Sequence, residues 1–170
     1  TNHVYAMRYR AVEQMVSHRP IGSVLDVGCG TGDYAQLFDP GRTSYLGIDI
    51  SDKMIAECTR LFPAHRFKVA DGDSIEAANG SFDLVLSIGV LEYLTDPVSH
   101  LSELARVTKL GGNVIVAVPN GSYSVRIVGG DPSYTDSIIK LAAENVIVAD
   151  GQLSSSQHFI DGTKTVTVSD

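Results

Sequence analysis

The apolar positions of this chain alternate between short continuous runs and longer stretches with helical spacing. Runs at 23–27, 45–50, 65–70, 82–87 and 113–118 are nearly continuous, as expected of strands buried on both faces of a parallel sheet. Between them the spacing turns helical. Val4, Met7, Ala11 and Met15 mark one stripe over 3–18. Met54, Ile55, Cys58, Leu61 and Phe62 mark a second, behind Ser51 as N-cap. Val98, Leu101, Leu104 and Ala105 mark a third, with Asp96 as N-cap, Pro97 at the first helical position and Gly111-Gly112 as the stop. A short helix is expected at 33–38 and a short amphipathic stretch before Asn79-Gly80-Ser81. Beyond the fifth strand, 120–132 reads as a glycine-rich loop able to act as a lid. The stretch 133–144 reads as a helix, and 146–149 and 165–168 as two final strands.

Strand–helix alternation that ends in two late strands predicts an α/β fold, with a mostly parallel sheet and an antiparallel edge. A chain of 170 residues, 44% hydrophobic, fits one domain over 1–170 with a sizeable core. The N-terminal helix, within 1–20, is expected against the sheet edge, the alternative being a cap over the ligand with Tyr5 or Arg8 reaching in. A formal charge of −7 without any basic run disfavours a surface that tracks phosphates, so no DNA partner is expected. Cys29 and Cys58 have no metal-ligand spacing, so no metal site and a reducing cytoplasmic setting are expected. The longest apolar run is far too short to span a bilayer. The chain starts at Thr1 rather than Met, which is compatible with a piece of a longer protein.

The candidate chemistry gathers where the first strand breaks into Gly28-Cys29-Gly30-Thr31-Gly32. Gly28 allows a sharp turn, Gly30 a close ligand approach and Gly32 a close helix–strand contact. Ligands of such sheets sit beyond the carboxyl ends of the strands. Asp49 ends the second strand, where a carboxylate can accept hydrogen bonds from the vicinal hydroxyls of a ribose. Asp71 and Gly72 offer an acceptor and an open N–H that suit the edge of an adenine. A dinucleotide turn needs G-x-G-x-x-G/A. Here Asp33 stands where the third small residue belongs, and it would repel a pyrophosphate. A zwitterionic amino-acid tail is better matched, its carboxylate toward the turn and its ammonium toward Asp26.

The chain resembles the S-adenosylmethionine-dependent methyltransferases with the seven-stranded Rossmann-like fold. The resemblance rests on Val24 to Gly32, Gly47-Ile48-Asp49-Ile50-Ser51, Asp71-Gly72-Asp73, Phe82-Asp83-Leu84-Val85, Val90 to Pro97 and Lys109-Leu110-Gly111-Gly112. It implies a three-layer α/β/α sandwich whose seven-stranded, mostly parallel sheet has an antiparallel edge strand. It implies S-adenosyl-L-methionine as cofactor and S-adenosyl-L-homocysteine as product. The turn with Gly28, Cys29, Gly30 and Gly32 would hold the methionine part, Asp49 the ribose, Ile50 one adenine face, and Asp71 and Gly72 the adenine edge. Ser87 and Ile88 would sit beside the methyl donor, with Asp73 lining the site or lying in a solvated turn. Tyr93 stands where many relatives have His, and Leu110 where many have Pro.

The fourth strand ends in Ser87-Ile88-Gly89, without the Asp/Asn-Pro-Pro-aromatic signature that marks amine and amide methylation in this family. In-line methyl transfer to a small-molecule acceptor is therefore expected. A non-catalytic S-adenosylmethionine-binding or scaffold domain is the alternative, and an RNA or protein methyltransferase a further one. Tyr93, Tyr123 and Arg126 are the substrate-side candidates, with Tyr134 beside them. No catalytic base is singled out: His65, His100 and His158 read as surface or packing residues, His100 away from the site.

Overall fold

The computed structural model describes residues 2–17 and 20–117, together with the backbone of four later strands. The chain divides into two compact units, Thr1–Val118 and Pro119–Asp170.

The first unit is built on five parallel strands in the order β3-β2-β1-β4-β5. They are β1 (Ser23–Val27), β2 (Ser44–Asp49), β3 (Arg66–Val69), β4 (Phe82–Ser87) and β5 (Thr108–Val116). Alternate residues of the central strands feed two cores. Val24, Tyr45, Leu84 and Leu86 face one side, where Val12, Val16, Tyr34, Ala35 and Phe38 complete the cluster. Leu25, Val27, Ile48 and Val85 face the other, against Ile75, Leu104 and Val107. This is the Rossmann-like three-layer α/β arrangement, with five strands in the described sheet.

Three helices flank the sheet: α1 (Asn2–Val16), α2 (Asp52–Leu61) and α3 (Pro97–Val107). Ser51 caps α2 through Met54 N–H, and Asp96 caps α3 through Ser99 N–H, as their positions predict. The buried faces differ from the apolar stripes. On α1 the buried residues are Val12 and Val16, while Met7 and Met15 are exposed. The helix turns its other face inward because Tyr9 stacks on Tyr34, with ring centroids 5.8 Å apart. On α3 the buried residues are His100, Leu104 and Val107, and Val98 and Leu101 face outward. The polar His100 takes an inward place because hydrogen bonds await it there. On α2 only Cys58 is fully enclosed.

Two further boundaries move. α3 ends at Val107 rather than at Gly111-Gly112, and β5 begins directly at Thr108. The register between β4 and β5 jumps from Phe82↔Thr108 to Leu84↔Asn113, so the two glycines sit in an irregularity of the strand. The stretch 70–81 forms no regular element. Its carbonyls are instead bound by Arg106 of α3, which donates to Ile75 O at 2.8 Å and Ala77 O at 2.7 Å, and to Asn79 Oδ1 at 2.9 Å. Glu103 receives two N–H groups of the same guanidinium and the Ile75 N–H. These bonds, Arg106 foremost, lower its carboxyl to about 2.

In the second unit, β6 (Gly121–Gly130) pairs antiparallel with β9 (Phe159–Val168), and β7 (Ile138–Ala143) with β8 (Val146–Gln152). The segment expected to be a lid loop at 120–132 is therefore mostly strand. Ile138, Leu141 and Ala142, expected on a helix face, lie on β7. Ile138 and Ile139 are β-branched, and a hairpin partner outweighs their helical spacing.

Candidate active site

The site forms where the carboxyl ends of β1, β2, β3 and β4 meet. After Val27 the chain crosses toward β2: Gly28 and Cys29 N–H both donate to Ile48 O, at 2.8 and 3.0 Å. Gly30 and Gly32 follow with φ of 53° and 79°, the left-handed region that glycine enters freely. Their surroundings differ. A Cβ on Gly32 would lie 2.8 Å from Cys58 Cβ, so this glycine lets α2 close onto the turn. A Cβ on Gly30 would meet nothing within 4 Å, so its backbone borders open space.

Asp49 faces that space. Its Oδ2 accepts from Gly30 N–H at 3.0 Å and its Oδ1 from Ser51 N–H at 2.9 Å. The carboxylate thus ties the glycine turn to the start of α2, and each oxygen keeps lone pairs for a ligand. Ile50, next in the chain, is 77% exposed and presents an unpacked apolar surface.

Asp26 lies on β1 behind the turn, fully enclosed, and accepts from the Tyr45 hydroxyl at 2.5 Å. Burial pushes its carboxyl up to about 7. The Tyr45 bond opposes the rise, and the charges of Asp33 and Asp49 add to it. Among the described residues no cation figures in these influences. Burial likewise raises the Cys29 thiol, so Cys29 serves as a small filler with a usable backbone rather than as a thiolate.

The first half of α1 reaches this rim rather than the sheet edge. Tyr5 lies within the influence of Asp33; burial first and the Asp33 carboxylate second hold its hydroxyl well above the usual tyrosine range. Arg8 Nη1 lies 3.5 Å from Glu92 Oε1 and close against Gly89, at the start of the turn after β4. Tyr34, beneath Tyr9, is pushed up to about 12, by burial first and the Asp26 charge next, with Arg8 opposing.

At the adenine-edge candidates, Asp71 Oδ1 accepts from Asp73 N–H at 2.9 Å and shapes a tight turn. Gly72 is pressed between Val27 and His100: a Cβ there would fall 2.5 Å from Val27 Cγ1 and 3.2 Å from His100 Cε1. His100, expected away from the site, sits behind it. Its Nδ1 is 3.0 Å from Asp73 Oδ1 and its Nε2 is 3.0 Å from Ser87 Oγ. Ser87 and His100 are wholly enclosed. Asp73 is therefore neither a simple lining residue nor a free turn residue. One polar position in an otherwise apolar helix stripe was the signal for His100. Arg106 carried a weaker one, its i,i+3 spacing from Glu103.

Ile88 is half-buried against the first core. Tyr93 is 83% exposed, in a short 3-10 turn, Leu91–Tyr93, beyond β4. Tyr123 and Arg126 fall on β6, opposite Val166 and Thr163. Their side chains, like Tyr134 and His158, lie outside the described residues. Among the described residues no cluster of His, Cys, Asp and Glu is arranged to hold a metal ion, and no helix is long and apolar enough to cross a membrane.

Comparison with known proteins gives consistent matches. A family described as "Methyltransferase domain" matches residues 25–116, more than half of the chain. A protein of Mycolicibacterium smegmatis named "Probable S-adenosylmethionine-dependent methyltransferase" is 30% identical over 114 residues, covering 66% of this chain and 44% of that protein. A demethylmenaquinone methyltransferase of Beutenbergia cavernae is 38% identical over 109 residues, covering 64% and 45%. The crystal structure of the YcgJ protein from Bacillus subtilis superposes with a TM-score of 0.60 at 22% identity, over 65% of this chain and 50% of that one. The chain spans less than half the length of these two curated relatives.

Proposed function

The chain belongs to the S-adenosylmethionine-dependent methyltransferases with a Rossmann-like sheet, and on that premise we propose that it directs the methyl group of S-adenosylmethionine onto a small-molecule acceptor. The observation that carries the reading is the open space at Gly30 beside the Asp49 carboxylate. A ribose placed there gives Asp49 two hydroxyl donors, and the ribose then fixes which way the rest of the ligand runs. Toward β1 lies Asp26, a buried carboxylate with no cation among the described residues that influence it. The ammonium of a methionine tail supplies that cation, and Gly28 to Gly32 border the rest of the tail. Toward β3 lie Asp71 and Gly72 for the adenine edge, with Ile50 for its face.

When bound, the cofactor supplies a methyl group already activated on a sulfonium. What remains for this chain is alignment, which in favourable geometry corresponds to effective molarities of about 10⁵–10⁸ M. Ile88, half-buried just after β4, borders the place where an acceptor approaches, with the enclosed Ser87 behind it. Arg8 and Tyr5 of α1 approach the same rim and limit access from water. A small-molecule acceptor is supported by the net charge of −7, by the sequence Ser87-Ile88-Gly89 after β4, and by the named substrate class of the Beutenbergia relative. Tyr93, exposed beyond β4, is the described side chain best placed to meet that acceptor.

Isothermal titration with S-adenosylmethionine, S-adenosylhomocysteine and NAD tests the cofactor. Binding of the sulfonium pair and not of NAD is expected, and the reverse preference would sink the reading. Incubation of the protein with methyl-labelled S-adenosylmethionine and a small-metabolite extract tests transfer. Label in a small organic product is expected. Binding without any labelled product would mark a cofactor-binding module, and label in RNA or protein would move the acceptor class.

A further inference from the structure

Ser87, His100 and Asp73 form a continuous hydrogen-bonded chain from the interior at the end of β4 out to the half-exposed Asp73 in the turn after β3. The residue types are those of a hydrolytic triad, but the chemistry is not. Ser87 is fully enclosed and its hydroxyl points at the imidazole, so no substrate carbonyl can reach it. The direction of the hydrogen bonds follows from the donors available. An ionised Asp73 only accepts, so Nδ1 of His100 carries the proton. On a neutral ring Nε2 is then the acceptor, and the Ser87 hydroxyl donates to it. The ring is held on both sides, and Gly72 packs against its Cε1 edge: a Cβ there would lie a tight 3.2 Å from Cε1 and would collide with Val27 Cγ1 at 2.5 Å.

We propose that His100 is a positioning residue for cofactor binding. Locked in its Nδ1–H form, it fixes the 71–73 turn relative to the end of β4, so that the groups meeting the adenosine and those beside the methyl donor keep one spacing. This rests on the reading of Asp71 and Gly72 as the adenine edge. The three residues come from three separate elements, and β1 stands between β2 and β4 in the sheet. The chain therefore connects two parts of the rim that share no strand pairing. It also explains why an inward position of α3 is a histidine: a leucine there would fill the space and leave Ser87 and Asp73 without this common partner.

Imidazole nitrogen NMR on the uniformly labelled protein without cofactor tests the tautomer. A single Nδ1–H form is expected for His100, and an Nε2–H or doubly protonated ring would overturn the proposal. Titration with S-adenosylhomocysteine then compares His100→Leu, which fills the space without hydrogen bonds, with His100→Asn, which keeps a donor near Nδ1. Losing a hydrogen bond to a charged group at the turn predicts an affinity about tenfold weaker for His100→Leu, with His100→Asn recovering much of it. Leu binding like the original protein would reduce His100 to packing and end the proposal. Asp71→Ala separates the two layers of the argument. If it leaves affinity unchanged, the adenine reading fails. If it weakens binding while His100→Leu does not, the positioning role alone fails. Should His100→Leu not fold, the tautomer measurement still decides.

Discussion

The two ends of the parallel sheet treat their carboxylates in opposite ways. At the amino ends of the strands, Asp83 of β4 accepts from Ser23 N–H and Ser23 Oγ, both at 2.8 Å, and from Lys109 Nζ at 2.9 Å. The Lys109 bond, then the Ser23 bond, holds its carboxyl below the usual range. Its charge is answered within the chain. At the carboxyl ends, Asp26 is enclosed with a tyrosine hydroxyl for company and Asp49 is bonded only to backbone N–H groups. One rim is finished by folding, and the other keeps negative charge and open backbone in reserve. Polar groups satisfied at home contribute to stability, and those left wanting a partner mark where binding energy is to come from.

The contrast predicts that substitutions at the two rims separate binding from stability. Asp49→Ala should weaken S-adenosylhomocysteine binding about 30-fold, by removing the acceptors for two hydroxyls, while the thermal midpoint falls only by what its bonds to Gly30 and Ser51 N–H contribute. An unchanged dissociation constant would take Asp49 out of the ribose site.

Asp26 gives the next largest effect, and it is read against pH. Because its folded pKa is raised, from 3.8 to about 7, the carboxyl favours folding fully only below its unfolded value. That contribution is lost as pH rises toward 7. Asp26→Asn, which does not titrate, should gain on the original protein between pH 5 and pH 8 by about 2–3 kcal/mol in urea unfolding without cofactor. A constant difference across that range would show that Asp26 does not titrate there.

Asp83 responds in the opposite direction. Its pKa is lowered, so its contribution is present above the ordinary carboxylate range and disappears on acidification. Asp83→Ala should cost about 1 kcal/mol at neutral pH, limited by the partial exposure of its lysine bridge, and leave cofactor affinity as it was. A large loss of affinity would erase the distinction between the rims. The smallest effect belongs to Tyr93→Ala, expected within about 0.5 kcal/mol in stability because the side chain is exposed, with its consequence confined to turnover of the acceptor.

The sheet and the glycine turn were legible because they depend on local features: continuous apolar runs, turn residues and helix caps. The strands β1 and β4 and the caps Ser51 and Asp96 stand where their neighbours in the chain predict. Helix faces were harder, because a stripe is chosen by what it meets. Tyr9 against Tyr34 turned α1 over, and Ser87 with Asp73 drew His100 inward on α3. Neither partnership has a sequence spacing that announces it, since the residues lie on elements far apart in the chain. The strands at 121–130 and 138–143 were hidden for a related reason: strand pairing is a long-range choice, and helical periodicity over a short β-branched segment cannot decide it.

Arg106 fastens the stretch after β3 by its carbonyl oxygens, at Ile75 and Ala77, more than by its side chains. Every amino acid offers a carbonyl. A grip of this kind is blind to the identity of what it holds, so an outward position such as Ala78 is free to drift under mutation while the path of the chain stays put. The constraint falls on the guanidinium, on the core residue Ile75 and on the close-packed Gly72 instead. In a library of random substitutions, tolerance should be broad at the outward positions of this segment and narrow at these three.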